Sequence, residues 1–138
     1  RSPSPVETAV QVARGQGVGP AGPDAAVFLG LTTQVAPTTT LTVVGTPPTG
    51  ARGVRWVVRK NPMRARLNYA EVAVIEILSL FPFAIEADWD EVADRIAALR
   101  TKRKINLKRL GEVVASERRK PQLRANFDRL VSDLSAAA

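Results

Sequence analysis

The stretch of residues 69–81 carries apolar side chains on nearly every side of a helix. A helix that is hydrophobic all round is stable only when other elements cover it on every side. A membrane span needs roughly 18–20 apolar residues, and the longest apolar run, Val72 to Ile85, is shorter and is broken by Glu76, Ser79 and Pro82. The rest of the chain is therefore expected to wrap around one central, buried helix.

Three amphipathic helices are predicted after the central helix. The first begins at Asp88, with Glu91 at the position that completes a capping box. The second is short and is centred on Leu110, and the third begins at Pro121. Apolar residues of the third recur at the spacing of one helix face; they are Leu123, Phe127, Leu130, Val131 and Leu134. The C-terminal half is therefore predicted to be mainly helical.

The N-terminal region begins with a helix start signal. Ser4 precedes Pro5, and Glu7 lies three residues after the serine. This order is typical of an N-cap, a first-turn proline and a capping box. Glycines follow this helix, so we predict that residues 1–22 form an N-terminal helix and a Gly/Pro linker. Residues 23–138 are predicted to form a single domain.

Two strands are predicted before the central helix. Residues 38–44 are rich in β-branched side chains, which favour strands. In residues 54–59, apolar residues at alternate positions indicate a second strand with one partly solvated face. The Gly/Pro-rich segment 45–50 between them is typical of a turn. We therefore predict an α+β fold with a small antiparallel β-hairpin or sheet and a mainly helical C-terminal half.

The chain contains no cysteine and no histidine. Without cysteine there are no disulfides, thiolate metal sites or cysteine nucleophiles, which fits a reducing cytoplasm. Without histidine, the usual general base and the Ser-His-Asp triad are excluded. No Gly-Lys-Ser/Thr phosphate loop is present. We therefore expect a cytoplasmic binding protein without a cofactor rather than an enzyme.

Five carboxylates cluster around the helix that is predicted to begin at Asp88. They are Glu86, Asp88, Asp90, Glu91 and Asp94. One interpretation is a capped helix start, where carboxylates favour the positive end of the helix dipole. The other is a cation site, because Asp90 and Asp94 are four residues apart and share a helix face. We favour the first interpretation and expect no bound metal.

Charge is concentrated in blocks. Residues 69–99 carry a net charge of −6 and residues 100–124 carry +8, within an overall charge of +7. Basic clusters can neutralise phosphates without reading sequence, although a solvated helix face is the other interpretation. Aromatic residues do not interleave with these basic residues, which argues against stacking on single strands. The candidate contacts with a partner or nucleic acid are Arg55, Arg59, Lys102, Arg103, Lys104, Lys108, Arg109, Arg118, Arg119 and Lys120.

Residues 88–116 also have the order of a helix-turn-helix. A glycine is the usual signal in the turn of that motif, and residues 100–105 contain four basic residues and no glycine. This makes the helix-turn-helix the weaker interpretation of the region.

The segment Leu29-Gly30-Leu31-Thr32-Thr33-Gln34-Val35 is followed by a strand pair and an apolar helix. In this pattern the chain resembles the C-terminal domain of AbiEi-type antitoxins, including the mycobacterial MenA-type members. The similarity covers about residues 20–85. The chain departs from the family in its basic tail and its glycine-rich N-terminal loop. We interpret the motif as a fold signature in which Gly30 ends a helix.

The resemblance implies a function. Full-length members carry an N-terminal winged-helix DNA-binding domain, which we expect before Arg1. The C-terminal domain carries the antitoxin activity, and the co-encoded toxin is nucleotidyltransferase-like and in several members modifies tRNA. We therefore expect the antitoxin effector domain of a bacterial toxin–antitoxin system, within a transcriptional autorepressor. Its expected partners are the toxin and, as a second candidate, operator DNA, with no membrane involved.

A second function remains open from the residues alone. The basic residues are also typical of a DNA-binding transcriptional regulator whose domain supplies non-specific phosphate contacts.

Overall fold

Six α-helices, three β-strands and a 3₁₀ helix make up the described part of the chain. The computed structural model describes residues 4–13, 15–34, 37–49 and 53–136. In chain order the elements are α1 Pro5–Val12, β1 Gly19–Pro20, α2 Pro23–Phe28, β2 Thr39–Val44, β3 Val54–Arg59, the 3₁₀ helix Pro62–Arg66, α3 Tyr69–Leu80, α4 Trp89–Thr101, α5 Leu107–Ser116 and α6 Pro121–Ala136. The predicted α+β class with a mainly helical C-terminal half is confirmed. Among these helices, none has both the length and the apolar character needed to cross a membrane.

The sheet is mixed, with the strand order β1-β2-β3. Strands β1 and β2 are antiparallel. Strands β2 and β3 are parallel, with Thr39 opposite Val54 and Val44 opposite Arg59. The predicted antiparallel hairpin is therefore wrong, although both of its strands are present.

The length of the connection explains how β3 can run parallel to β2. Residues 45–53 separate the two strands. Nine residues can span up to about 30 Å, whereas a six-residue strand is about 20 Å long. The connection is therefore long enough to return to the starting end of β2. Turn-forming residues at 45–50 indicate that the chain changes direction, but they do not indicate at which end the next strand begins.

Strand β1 lies within the segment predicted as a Gly/Pro linker. Gly19 pairs with Thr42 and Pro20 with Leu41. The Ala21 amide donates to the Thr40 carbonyl at 3.0 Å, which continues the pairing by one residue. This segment therefore completes the sheet, and its glycine and proline carry no strand signal in the sequence.

Helix α3 is the centre of the larger hydrophobic core, as predicted. Each of residues 71–78 is buried. Side chains of α2, α4, α5 and α6 cover the helix. Of the predicted α6 stripe, Leu123, Phe127, Leu130 and Leu134 are buried and Val131 is half-buried.

A smaller core lies between α1 and the sheet. Ala9 of α1, and Ala13 directly after the helix, pack there against Leu41 and Val43 of β2. The predicted start of α1 is confirmed at Ser4, whose hydroxyl accepts a hydrogen bond from the Glu7 amide at 3.1 Å. The N-terminal helix is therefore packed against the sheet.

Helix α6 caps the C-terminal end of α3 with amide side chains. The buried Asn126 amide donates to the Leu78 carbonyl at 2.8 Å and to the Phe81 carbonyl at 2.9 Å. Gln122 donates to the same Phe81 carbonyl at 2.8 Å. These carbonyls have no partner within their own helix, so α6 satisfies groups that would otherwise be buried and unpaired.

We predict that Gly19→Ala destabilises the protein. A Cβ at this position would lie 2.2 Å from the Val72 Cβ, which real contacts do not allow. Strand β1 or α3 would have to move, and we expect a loss of about 3 kcal/mol in the free energy of unfolding, measured with denaturant.

The matched control is Gly111→Ala, because this glycine lies inside α5. Its new Cβ would meet Phe127 at 3.4 Å, an ordinary contact. We expect a gain of about 0.5–1 kcal/mol from helix propensity. Equal effects of the two substitutions would contradict the direct packing of β1 on α3.

Candidate anion-binding surface

The family-like motif forms the end of α2. Gly30 adopts a left-handed conformation (φ 73) immediately after the helix, as predicted. The Leu31 amide then donates to the Ala26 carbonyl at 2.9 Å, and both Leu29 and Leu31 are buried. The Thr32 hydroxyl accepts a hydrogen bond from the backbone amide of Gln34 at 3.1 Å. These contacts turn the chain from α2 towards β2; Val35 lies outside the described residues.

Most of the predicted basic contact residues are exposed. Eight of the ten are exposed and form no salt bridge among the described residues; these are Arg55, Lys102, Arg103, Lys104, Lys108, Arg118, Arg119 and Lys120. Their charges are therefore not neutralised by an ion pair within the part of the chain that the structure describes. Whether these residues contact a partner stays a prediction.

The turns at the two ends of α5 hold most of these residues. Residues 102–104 precede the helix and residues 118–120 follow it. Helix α5 has ten residues, so the two basic turns lie about 15 Å apart along its axis. Arg103 and Arg119 each have a positive φ, of 58 and 57. Arg103 thus takes the conformation that glycine usually takes in a helix-turn-helix turn.

The 3₁₀ segment runs antiparallel to α5. At one end of the helix the side-chain amide of Asn61 donates to the Ser116 hydroxyl at 2.8 Å. At the other end the side-chain amide of Asn68 donates to the Lys104 carbonyl at 3.0 Å. This places Lys60, at the end of β3, beside the basic turn that follows α5. Sequence reasoning missed Lys60, because it is isolated from residues 100–124 along the chain.

Arg109 has an internal partner. Its guanidinium contacts the Glu71 carboxylate through Nε at 3.0 Å and Nη2 at 2.8 Å. Glu71 is fully buried and also accepts from the backbone amides of Asn68 and Asn106, at 3.0 and 2.8 Å. Moving Arg109 onto another partner would leave a buried carboxylate without its cation, which is costly.

Arg59 is also paired internally. It donates to Glu76 Oε1 at 2.6 Å, and Arg64 donates to Glu76 Oε2 at 2.8 Å. The Arg64 side chain is 5% exposed, whereas that of Arg59 is 33% exposed. Glutamates inside an apolar helix indicate in the sequence that cationic partners are needed. The sequence does not identify those partners, which lie between 12 and 38 residues away.

The acidic cluster marks the start of α4. The Asp88 carboxylate accepts a hydrogen bond from the Glu91 amide at 2.9 Å, which confirms the predicted cap. All five carboxylates of the cluster are exposed. Within the described ranges, no three or more acidic side chains come together in a way that could hold a metal ion.

The environment of Tyr69 shifts the pKa of its hydroxyl. Burial raises the pKa of its hydroxyl to about 12, and the negative charge of Asp24 adds to this. The ring packs edge-on against Phe28, with 5.1 Å between centroids. The hydroxyl therefore stays protonated near neutral pH and cannot serve there as a base.

Comparison of the chain with protein-family models, curated proteins and solved structures finds no match.

We predict that Arg109→Ala destabilises the protein, because it leaves Glu71 buried without its cation. Removing one partner of a fully buried pair costs about 3–5 kcal/mol. Since the Arg109 side chain is 33% exposed, we expect a smaller loss of about 2–3 kcal/mol in the free energy of unfolding.

The neighbouring Lys108→Ala is the control, since Lys108 is exposed and has no salt bridge among the described residues. Its effect should stay within about 0.5 kcal/mol. If denaturation gave equal losses for the two variants, a structural role for Arg109 would be refuted.

Proposed function

We propose that this chain is the effector domain of an antitoxin. In this proposal it neutralises a co-encoded nucleotidyltransferase-like toxin and belongs to a transcriptional autorepressor in the bacterial cytoplasm. The observation that carries the proposal is the motif of residues 29–34, which resembles the AbiEi-type pattern. In the structure this motif ends α2 and is followed by a strand pair and a buried helix, in the order that the resemblance implies.

The exposed charges support an activity that depends on binding. Eight exposed cations have no salt bridge within the described residues and can attract anionic groups, and six of them lie in the two turns that flank α5. Complementary charge speeds the encounter of two macromolecules and selects between partners. Neutralisation by contact with the toxin, or by opposition to its effect on nucleic acid, agrees with such a surface.

Co-expression of this chain with the co-encoded toxin tests the proposal. We expect growth that the toxin arrests to be restored, with an empty vector as the control. Continued arrest in cells that accumulate folded chain would refute the antitoxin function. A pull-down with tagged chain separates the routes: co-purification of the toxin indicates direct contact, and rescue without co-purification indicates an indirect route.

The geometry of α5 favours non-specific DNA contact as a second candidate function. Basic turns flank the helix about 15 Å apart, and the major groove of B-DNA is about 12 Å wide. The two turns can therefore reach phosphates on opposite sides of one groove. Contacts of this kind give affinity and orientation without sequence recognition.

Titration of a labelled DNA duplex with this chain tests the second function. Each neutralised phosphate contributes about 0.9 to the slope of log K against log salt concentration. With contacts from both turns, we expect binding to weaken at least about tenfold between about 50 and 200 mM salt. Affinity that is insensitive to salt would contradict phosphate contacts.

A further inference from the structure

A cleft lies between the end of β3 and the turn from α5 to α6. Its volume is about 330 Å³. It is lined by Lys60, Asn61, Pro62, Ser116, Glu117 and Arg118. The hydrogen bond from the Asn61 amide to the Ser116 hydroxyl, at 2.8 Å, holds the two sides of the cleft together. The cleft is therefore a fixed feature of the fold.

The carboxylates around this cleft are already paired. Glu76 accepts hydrogen bonds from both Arg59 and Arg64. The Glu117 Oε1 atom lies 3.8 Å from Arg64 Nε. Lys60 and Arg118, on the two sides of the opening, are exposed and have no salt bridge among the described residues. Positive charge is therefore in excess at the cleft.

The ion-pair network beside the cleft also contains donors without acceptors. The Nε atoms of Arg59 and Arg64 are buried and have no hydrogen-bond partner within the described residues. Buried guanidinium donors without acceptors are energetically unfavourable. An anion in the adjacent cleft would interact favourably with these two guanidinium groups through its field, without having to contact either atom.

We propose that this cleft binds the phosphate group of a nucleotide unit. Lys60 and Arg118 contact the phosphate oxygens from opposite sides of the opening, and the Asn61–Ser116 pair forms the wall between them. A cleft of about 330 Å³ has room for more than a bare phosphate, so it accepts the attached sugar as well.

The other residues that line the cleft determine which part of a nucleotide it can recognise. Among the described residues that line the cleft, none is aromatic, so none offers a surface on which a base can stack. Recognition by charge and shape at the phosphate alone is independent of sequence. The phosphate can come from a nucleic-acid strand or from a free nucleotide. If the phosphate belongs to a nucleic-acid strand, the proposal rests on the second candidate function, DNA contact. If it belongs to a free nucleotide, the proposal stands without that function.

The double variant Lys60→Gln/Arg118→Gln tests the site. Fluorescence anisotropy with a labelled duplex of about 20 base pairs measures binding to a nucleic-acid strand. Calorimetry with 5′-AMP measures binding of a free nucleotide. We expect the variant to bind the duplex at least about tenfold more weakly than the unsubstituted chain. Its salt slope should fall by about two, since each lost phosphate contact removes about one. An unchanged melting temperature shows that the variant is folded.

The charge-matched control is Arg95→Gln/Arg100→Gln, which removes two exposed cations of α4 that lie outside the candidate contact residues. It should retain most of the duplex affinity. Equal losses in the two double variants, or no loss in the cleft variant, would overturn the site while leaving the second function intact. Cleft-dependent binding of 5′-AMP without duplex binding would support the site and assign it a free nucleotide, and would refute the second function. Binding of neither probe by the unsubstituted chain would overturn both.

Discussion

Two glutamates buried within α3 constrain which elements can pack beside them. Glu71 is 0% and Glu76 5% exposed, in a helix that is otherwise apolar at its centre. An unpaired carboxylate at such a position costs several kcal/mol. Arg109 of α5 pairs with the first glutamate, and Arg59 and Arg64, from β3 and the 3₁₀ helix, pair with the second. Buried pairs of this kind add little net stability, but they fix which elements dock on α3.

The same constraint determines which basic side chains are presented outwards. At one end of α5 the backbone amide of Asn106 donates to the Glu71 carboxylate, and at the other end the side-chain amide of Asn61 donates to the Ser116 hydroxyl. Both ends of the helix are thus anchored, and the basic turns that flank it are held in place. A preorganised surface loses less conformational entropy when a partner binds. Fixing α5 therefore strengthens any association that its flanking cations make.

Local signals and tertiary contacts account for different parts of this fold. The starts of α1 and α4 could be predicted because Ser4 and Asp88 cap helices through contacts three residues away. The parallel pairing of β2 with β3 could not, because alternation of apolar residues shows which face is buried and not in which direction a strand runs. The same limit applies to the basic surface. Arg59 and Lys60 are adjacent in the sequence, yet one is paired with Glu76 and the other lines an open cleft.

The positions of charged residues relative to the helix dipoles indicate which of them stabilise the fold. In α4 the acidic residues lie in the first turn and Arg100 in the last, which is the stabilising arrangement. The first turns of α5 and α6 contain no acidic residue. Lys108 lies in the first turn of α5, at the positive end of its dipole, whereas residues 118–120 lie between the negative end of α5 and the positive end of α6. Among the described residues no salt bridge pairs Lys108 or the basic residues 118–120. Helix dipoles and ion pairs therefore give these cations little stabilising role in the fold, and the proposed binding of an anionic partner would give them a role.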